Sequence, residues 1–214
     1  MATSLRFLAF ICSLTALLLL SNCSSTYDIN QSKMLVSVKD QTMLLTQYGK
    51  PVKSYKISTS KFGLGDTPSS MRTPLGKMMV AKKIGYKQPQ GAVFKARKPT
   101  GEVIAANAPG RDPIVTRIIW LKGTEQRNKN AFSRYIYIHG TPEESRIGSV
   151  ASYGCIRMSS KDIVDLYSRI GVNAEVNVIR GALSKTMKGR EYVRMVKAAR
   201  KQSAESVESD GEKA

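Results

Sequence analysis

Between residues 34 and 60 the chain alternates apolar and polar positions in short runs broken by turn residues. Met34 to Val38 reads as a strand and Lys39-Asp40-Gln41 as a turn. Thr42 to Tyr48 reads as a second strand, Gly49-Lys50-Pro51 as a second turn, and Val52 to Thr59 as a third strand. A period of two interrupted by Gly, Pro and Asp predicts antiparallel sheet, because successive side chains of a strand face opposite sides. Residues 60 to 76, rich in Gly, Ser, Pro and Thr, predict a loop, and Lys77 to Ile84 another strand. Residues 85 to 113 hold four prolines and four glycines and predict a loop-rich stretch. Ile114 to Leu121 is a strand. Arg134-Tyr135-Ile136-Tyr137-Ile138 is the next and runs directly into His139. Its alternation puts Ile136 and Ile138 on one face, and Tyr135, Tyr137 and His139 on the other.

The period then lengthens. Ser159-Ser160-Lys161-Asp162 can cap a helix. Ile163, Val164, Leu166, Tyr167 and Ile170 give it an apolar stripe, and Gly171 stops it. Ala174 to Ile179 returns to strand. These elements predict a mainly β domain over residues 34–180 with one packed helix. In residues 181–202 Tyr192, Met195, Val196 and Ala199 fall at helical spacing among seven Lys/Arg and one Glu, which predicts a C-terminal basic helix. That helix either lies on an anionic surface or docks with a solvated basic face. Residues 203–214 carry four acidic residues and no aromatic, and predict a disordered tail.

The N-terminus changes the picture from a fold to a compartment. Arg6 is the one charged residue before Cys23, and Phe7 to Leu20 is an apolar run. That run is short for a membrane span but suits a signal peptide. Leu20-Ser21-Asn22-Cys23 resembles the bacterial lipoprotein signal, with Asn22 a departure from the usual small residue. The resemblance implies that residues 1–22 are removed, that Cys23 is lipidated, and that residues 23–33 form a tether. The expected location is the cell envelope, on the periplasmic side of a membrane, held by the lipid anchor.

Charge and cysteines then narrow the chemistry. The net charge of +18 favours polyanionic surroundings. The export signal and the lack of a nucleic-acid-binding motif argue against nucleic acid as the partner. Cys12 leaves with the signal and Cys23 is acylated, so Cys155 is left as a solitary thiol in a compartment where cysteines usually pair. One His and one Cys cannot build a zinc site, so no metal is expected. The sole histidine, His139, lies 16 residues before Cys155. A thiol nucleophile needs a group to take its proton, and imidazole is the usual one.

The local strings decide between this reading and ordinary core packing. His139-Gly140-Thr141-Pro142, then Ile147-Gly148, then Ser152-Tyr153-Gly154-Cys155-Ile156-Arg157-Met158 resembles the active-site signature of the L,D-transpeptidase catalytic domain. Thr73-Pro74-Leu75-Gly76 matches an upstream element of the same family, and the resemblance covers about residues 33 to 180. It implies Cys155 as nucleophile, His139 as base and the Gly140 carbonyl as orienter of the imidazole. It implies Ser152, Tyr153 and Gly154 as the oxyanion segment, with Arg157 and Tyr137 as substrate-binding residues. Tyr153 departs from the family, which usually has a second histidine there. The implied fold is an L,D-transpeptidase-type β-sandwich, and the implied partner is the peptidoglycan stem peptide, with no cofactor. The implied reaction is acyl transfer through a Cys thioester, releasing D-alanine, to an amine acceptor. Two alternatives stand beside it: an L,D-carboxypeptidase with water as acceptor, and an inactive peptidoglycan-binding lipoprotein.

Overall fold

A computed structural model describes residues 31–211. The signal, Cys23 and most of the tether lie outside the described residues. Ten strands belong to one hydrogen-bonded sheet in the order β3-β2-β1-β10-β4-β7-β5-β6, with β8 and β9 branching from β7. The chain opens with the antiparallel meander β1 (Ser32–Ser37), β2 (Thr42–Gln47) and β3 (Lys50–Lys56). The strand β4 (Gly76–Ile84) lies antiparallel to both β7 (Ile114–Gly123) and β10 (Glu175–Ile179). β10 in turn pairs parallel with β1, which ties the end of the domain to its beginning.

Two short strands carry the chemistry-bearing strings. β8 (Tyr137–Gly140) lies antiparallel to β7, and β9 (Ile156–Met158) lies parallel to β8. Met34, Val36, Met43 and Leu45 from the opening meander share one apolar core with Ile138, Ile156 and Met158. The far end of the sheet therefore wraps back onto the β8–β9 branch. Ser58 closes the wrap by a two-way backbone pairing with Arg157, at 3.0 and 2.9 Å.

The packed helix α1 (Ser160–Arg169) forms as its pattern predicts. Ser159 caps it by accepting from the Asp162 N–H at 3.1 Å. Ile163, Leu166 and Tyr167 face the core, joined by Ile170 just past its end. At that end the Lys83 ammonium donates to the Tyr167 carbonyl at 2.7 Å and to that of Ile170, a favourable place for a cation. No helix of the described residues is long and apolar enough to cross a membrane.

Four features differ from the sequence-based expectation. Residues 85–113 hold a hairpin, β5 (Ala92–Lys95) and β6 (Lys98–Val103). β6 is exposed at every position, so no apolar alternation marks it, and Pro99 is tolerated because β6 is an edge strand. The strand before His139 begins at Tyr137 rather than Arg134, since Tyr135 sits in a turn at φ 57°. The third strand stops at Lys56, and the chain beyond it makes only single bridges at Ser58 and Ser60. The C-terminal helix α2 (Met187–Gly211) runs through nine residues expected to be disordered. The described side chains of α2 are mostly exposed. Tyr192 is half-buried, its hydroxyl accepting from Ser54 Oγ at 3.1 Å, whereas Met195 is exposed.

Candidate active site

The parallel pairing of β8 with β9 sets Ile138 beside Ile156 and His139 beside Arg157. Side chains two residues apart on a strand share a face. Extending the register one step back therefore brings Cys155 next to Tyr137, on the same face as His139 and Arg157. The backbone N–H of Tyr137 points at Cys155 Sγ from 3.4 Å, and the thiol faces the Tyr135 carbonyl, also at 3.4 Å. Cys155 is half-buried. It packs on the apolar cluster of Ala92, Phe94, Ile118, Trp120 and Tyr137, and it opens into a cleft of about 400 Å³ lined by Pro68, Met71, Tyr135 and Tyr153 among others. The sulfur is thus reachable.

His139 is 5 % exposed, and its Nδ1 lies 2.8 Å from the Gly140 carbonyl. A carbonyl can only accept, so the neutral ring carries its proton on Nδ1 and presents a bare Nε2. Burial pushes the imidazole pKa down to about 4, against the Gly140 hydrogen bond; Arg157 lowers it further and Asp112 opposes. Burial likewise pushes the Cys155 thiol up to about 11, against the Tyr137 N–H and the charges of Arg157 and Arg134. At neutral pH the resting pair is therefore a neutral thiol and a neutral imidazole, the protonation states a general base requires. Opposite His139 and Gly140, the pairing of β7 with β8 carries a bulge, with Thr116 buried at φ 71°. Such bulges re-aim strands beside active sites. The backbones are so close there that a Cβ on Gly140 would sit 2.7 Å from the Val115 carbonyl.

Three implied roles are corrected by the geometry. The Gly154 N–H donates to Ser152 Oγ at 3.2 Å, and the Ser152 N–H donates to the Thr59 carbonyl at 3.0 Å. Neither amide is open to an oxyanion. Ser152 instead braces the turn, its hydroxyl also donating to the Cys155 carbonyl at 2.5 Å. Among the described residues the backbone amides of Tyr153 and Cys155 have no hydrogen-bond acceptor, so these two are free to donate. Gly154, at φ 120°, supplies the turn that only glycine adopts readily.

Arg157 is the second correction. Its guanidinium is buried and paired with Asp112 at 2.5 Å and Glu143 at 3.2 Å. Asp112 also accepts from the Thr141 hydroxyl at 2.5 Å. A guanidinium held by two carboxylates positions strands; it does not await a third anion. Tyr137 is the third. Its ring is buried edge-on to Trp120, at 5.5 Å between centroids, and it is the backbone N–H that meets the nucleophile. Tyr153, where the family has its second histidine, is 56 % exposed at the cleft, and its hydroxyl accepts from Lys61 Nζ at 3.1 Å.

Sequence reasoning missed Asp112, Glu143 and Asp66. Acidic residues in loops look alike until the strands they brace are known. Asp66 forms a buried ion pair with Arg134 at 2.9 Å, and Arg134 also donates to the carbonyls of Gly65 and Arg72. This fixes the 60–76 loop as one wall of the cleft. Thr73 of the upstream element donates to the Gly154 carbonyl at 3.0 Å while accepting from the Ser60 N–H at 3.0 Å. The Thr-Pro-x-Gly string thus clamps the turn that leads into Cys155.

A thiol open to a cleft, on the same strand-pair face as a neutral imidazole with a bare Nε2, is an arrangement suited to nucleophilic chemistry. The model of the L,D-transpeptidase catalytic domain matches residues 31–178, well over half the chain, and the protein belongs to that family. No curated protein sequence matches it. Among solved structures it resembles an L,D-transpeptidase from Mycobacterium smegmatis, at 15 % identity and a TM-score of 0.46, covering 70 % of this chain and 58 % of that one. It also resembles an L,D-transpeptidase from Mycobacterium tuberculosis, at 16 % identity and 0.46, covering 70 % and 58 %. A third, from Xylanimonas cellulosilytica, gives 16 % identity and 0.44, covering 70 % and 61 %. The chain spans less than two thirds of the length of these proteins.

Proposed function

We propose that the protein is a peptidoglycan L,D-transpeptidase that uses Cys155 as its nucleophile, acting outside the cytoplasm as a lipoprotein anchored through Cys23. The observation that carries this reading is the shared face of β8 and β9. That face carries both the Cys155 thiol and an imidazole whose Nδ1 is held by the Gly140 carbonyl, which supports Nε2 as the base.

The sequence of events follows from those protonation states. His139 Nε2 removes the thiol proton as Cys155 Sγ attacks the carbonyl carbon of the third stem-peptide residue. The carbonyl oxygen becomes an oxyanion facing the amides of Tyr153 and Cys155; each such preorganised donor is worth about 3 kcal/mol in related chemistry. The tetrahedral centre collapses, the C–N bond breaks, and the His139 imidazolium protonates the departing D-alanine amine. The thioester is then attacked by an acceptor amine, whose proton passes through His139 to the leaving sulfur. Because the resting thiol is neutral, proton transfer accompanies attack instead of preceding it.

The test is mass spectrometry of the mature protein incubated with disaccharide-tetrapeptide. A thioester on Cys155 with loss of D-alanine is expected, and its absence in well-folded protein defeats the reading. The same spectra separate cross-linked dimer from hydrolysed tripeptide, and so distinguish the transpeptidase from the L,D-carboxypeptidase. The anchor is tested by lipid incorporation that disappears in Cys23→Ala.

A further inference from the structure

With Arg157 occupied by two carboxylates, the site lacks its expected anion receptor, and a different arginine stands near it. Arg97 occupies the tip of the β5–β6 hairpin. Lys95 pairs with Lys98, so Ala96 and Arg97 are the two central residues of the turn, at φ 48° and 68°. Turns with both central residues at positive φ normally use Asn or Gly. An Ala and an Arg held there are strained, and observed strain of this kind is a pointer to function.

The strained turn puts the guanidinium over aromatic faces. Its carbon lies 5.2 Å from the Trp120 ring centroid and 4.9 Å from that of Tyr135. Trp120 belongs to the apolar cluster on which Cys155 packs, and Tyr135 lines the cleft with Cys155. The Tyr137 phenol faces Arg97 as well; burial raises its pKa, so it stays a neutral hydroxyl. Rings and a phenol orient a guanidinium without cancelling its charge. Among the described residues Arg97 makes no ion pair, whereas Arg134 and Arg157 are both neutralised by carboxylates.

Resting on the transpeptidase reading above, we propose that Arg97 is a specificity-determining residue that receives the terminal carboxylate of the peptide donor. The chemistry of the scissile bond supplies the reach. The leaving residue carries its carboxylate one Cα beyond the nitrogen that departs. An anion therefore lies within roughly one residue's length, about 3.8 Å, of the bond Cys155 attacks. A fork of guanidinium N–H groups matches a carboxylate bidentately, and the hairpin brings that fork to the rim formed by Trp120 and Tyr135.

The experiment compares a stem tetrapeptide bearing a free terminal carboxylate with the same peptide as its terminal amide. Binding is measured by calorimetry on the mature chain carrying Cys155→Ser, which cannot turn over. The acid is expected to bind about tenfold or more tightly than the amide, as a charge-assisted bidentate contact provides. In the added Arg97→Gln variant that ratio falls to about one, and Arg97→Lys is intermediate. An unchanged far-ultraviolet circular dichroism spectrum checks that the variants stay folded. A ratio that survives Arg97→Gln, equal weakening of both peptides, or no binding of either overturns the proposal. Turnover of the reactive enzyme, followed separately as D-alanine release, decides the transpeptidase reading on its own. The two ideas therefore fail by different measurements.

Discussion

The β8–β9 strand pair and the β5–β6 hairpin flank the same thiol, yet they are built on opposite principles. On β8–β9, His139 and Arg157 are buried, each with a fixed partner: a carbonyl for the imidazole, and two carboxylates for the guanidinium. On the hairpin, β6 is exposed throughout and Arg97 rests on ring faces with no counter-ion. Buried polar networks are rigid because every broken bond leaves an unsatisfied group in low dielectric. An exposed arm is cheap to move. The difference teaches a division of labour: proton transfer sits where geometry cannot drift, and recognition sits where it can adapt.

The largest effects should come from the rigid side. Cys155→Ala removes the only candidate nucleophile and should abolish every covalent adduct in intact-mass spectra. His139→Gln keeps much of the shape but cannot take a proton. Acylation should slow by about 10²–10⁴, the usual worth of a general base. Acylation at the wild-type rate in His139→Gln would remove the imidazole from the mechanism.

The Arg157 network tests rigidity itself. Arg157→Ala leaves Asp112 without its cation, while Glu143 keeps its pair with Arg146. Breaking a buried pair from one side costs about 3–5 kcal/mol, and Glu143 is partly solvated, which favours the lower end. Urea denaturation should show a loss near 3 kcal/mol. A loss under about 1 kcal/mol, the range of surface pairs, would mean that the network does not lock the strands.

The same contrast explains what was legible in the sequence. The meander, β7, α1 and β10 each bury one face, so Met34, Val36, Ile163 and Leu166 advertise their elements by period. Cys155, His139 and Gly140 were legible because their chemistry needs those residue types in a recognisable string. The hairpin was not legible: an edge strand exposed at all six positions leaves no apolar period, and Pro99 and Gly101 read as loop. Arg157 was misassigned for a different reason. Its position in the string was right, but its partners come from loops 14 and 45 residues upstream, and a one-dimensional pattern cannot show that their charges are already balanced. Gly154 and Ser152 failed similarly, since which amides in a tight turn remain open depends on its hydrogen bonds.

Burial of His139 links the rigid side to pH. The folded imidazole binds its proton less tightly than the unfolded one, with a pKa of about 4 against 6.5. The unfolded state therefore takes up more protons between these values. The contribution of His139 is fully present above pH 6.5 and is lost as the pH falls to about 4. Two and a half units correspond to about 3 kcal/mol. Carboxylates titrate in the same window, so the informative quantity is a difference. From pH 7 to pH 4 the wild type should lose about 3 kcal/mol more than His139→Gln. Identical losses in the two proteins would mean that the imidazole is not shielded from water. Acylation should fall through the same low-pH limb, because a protonated Nε2 cannot accept the thiol proton.

The smallest effect belongs to the hairpin and bears on the other half of the comparison. Ala96 holds φ 48° with a Cβ, and its neighbour Arg97 does the same at 68°. An L-residue in this region costs about 1–2 kcal/mol, which glycine avoids. Glycine also gives the unfolded chain more freedom, returning about 0.4–1 kcal/mol. Ala96→Gly should therefore stabilise the protein by about 0.5–1 kcal/mol. The sign matters more than the size. A strained turn that can be relaxed without loss of acid-over-amide discrimination is only a connector. If Ala96→Gly raises stability yet lowers that discrimination, the strain is what aims Arg97 at the cleft, and the adaptable arm is itself preorganised.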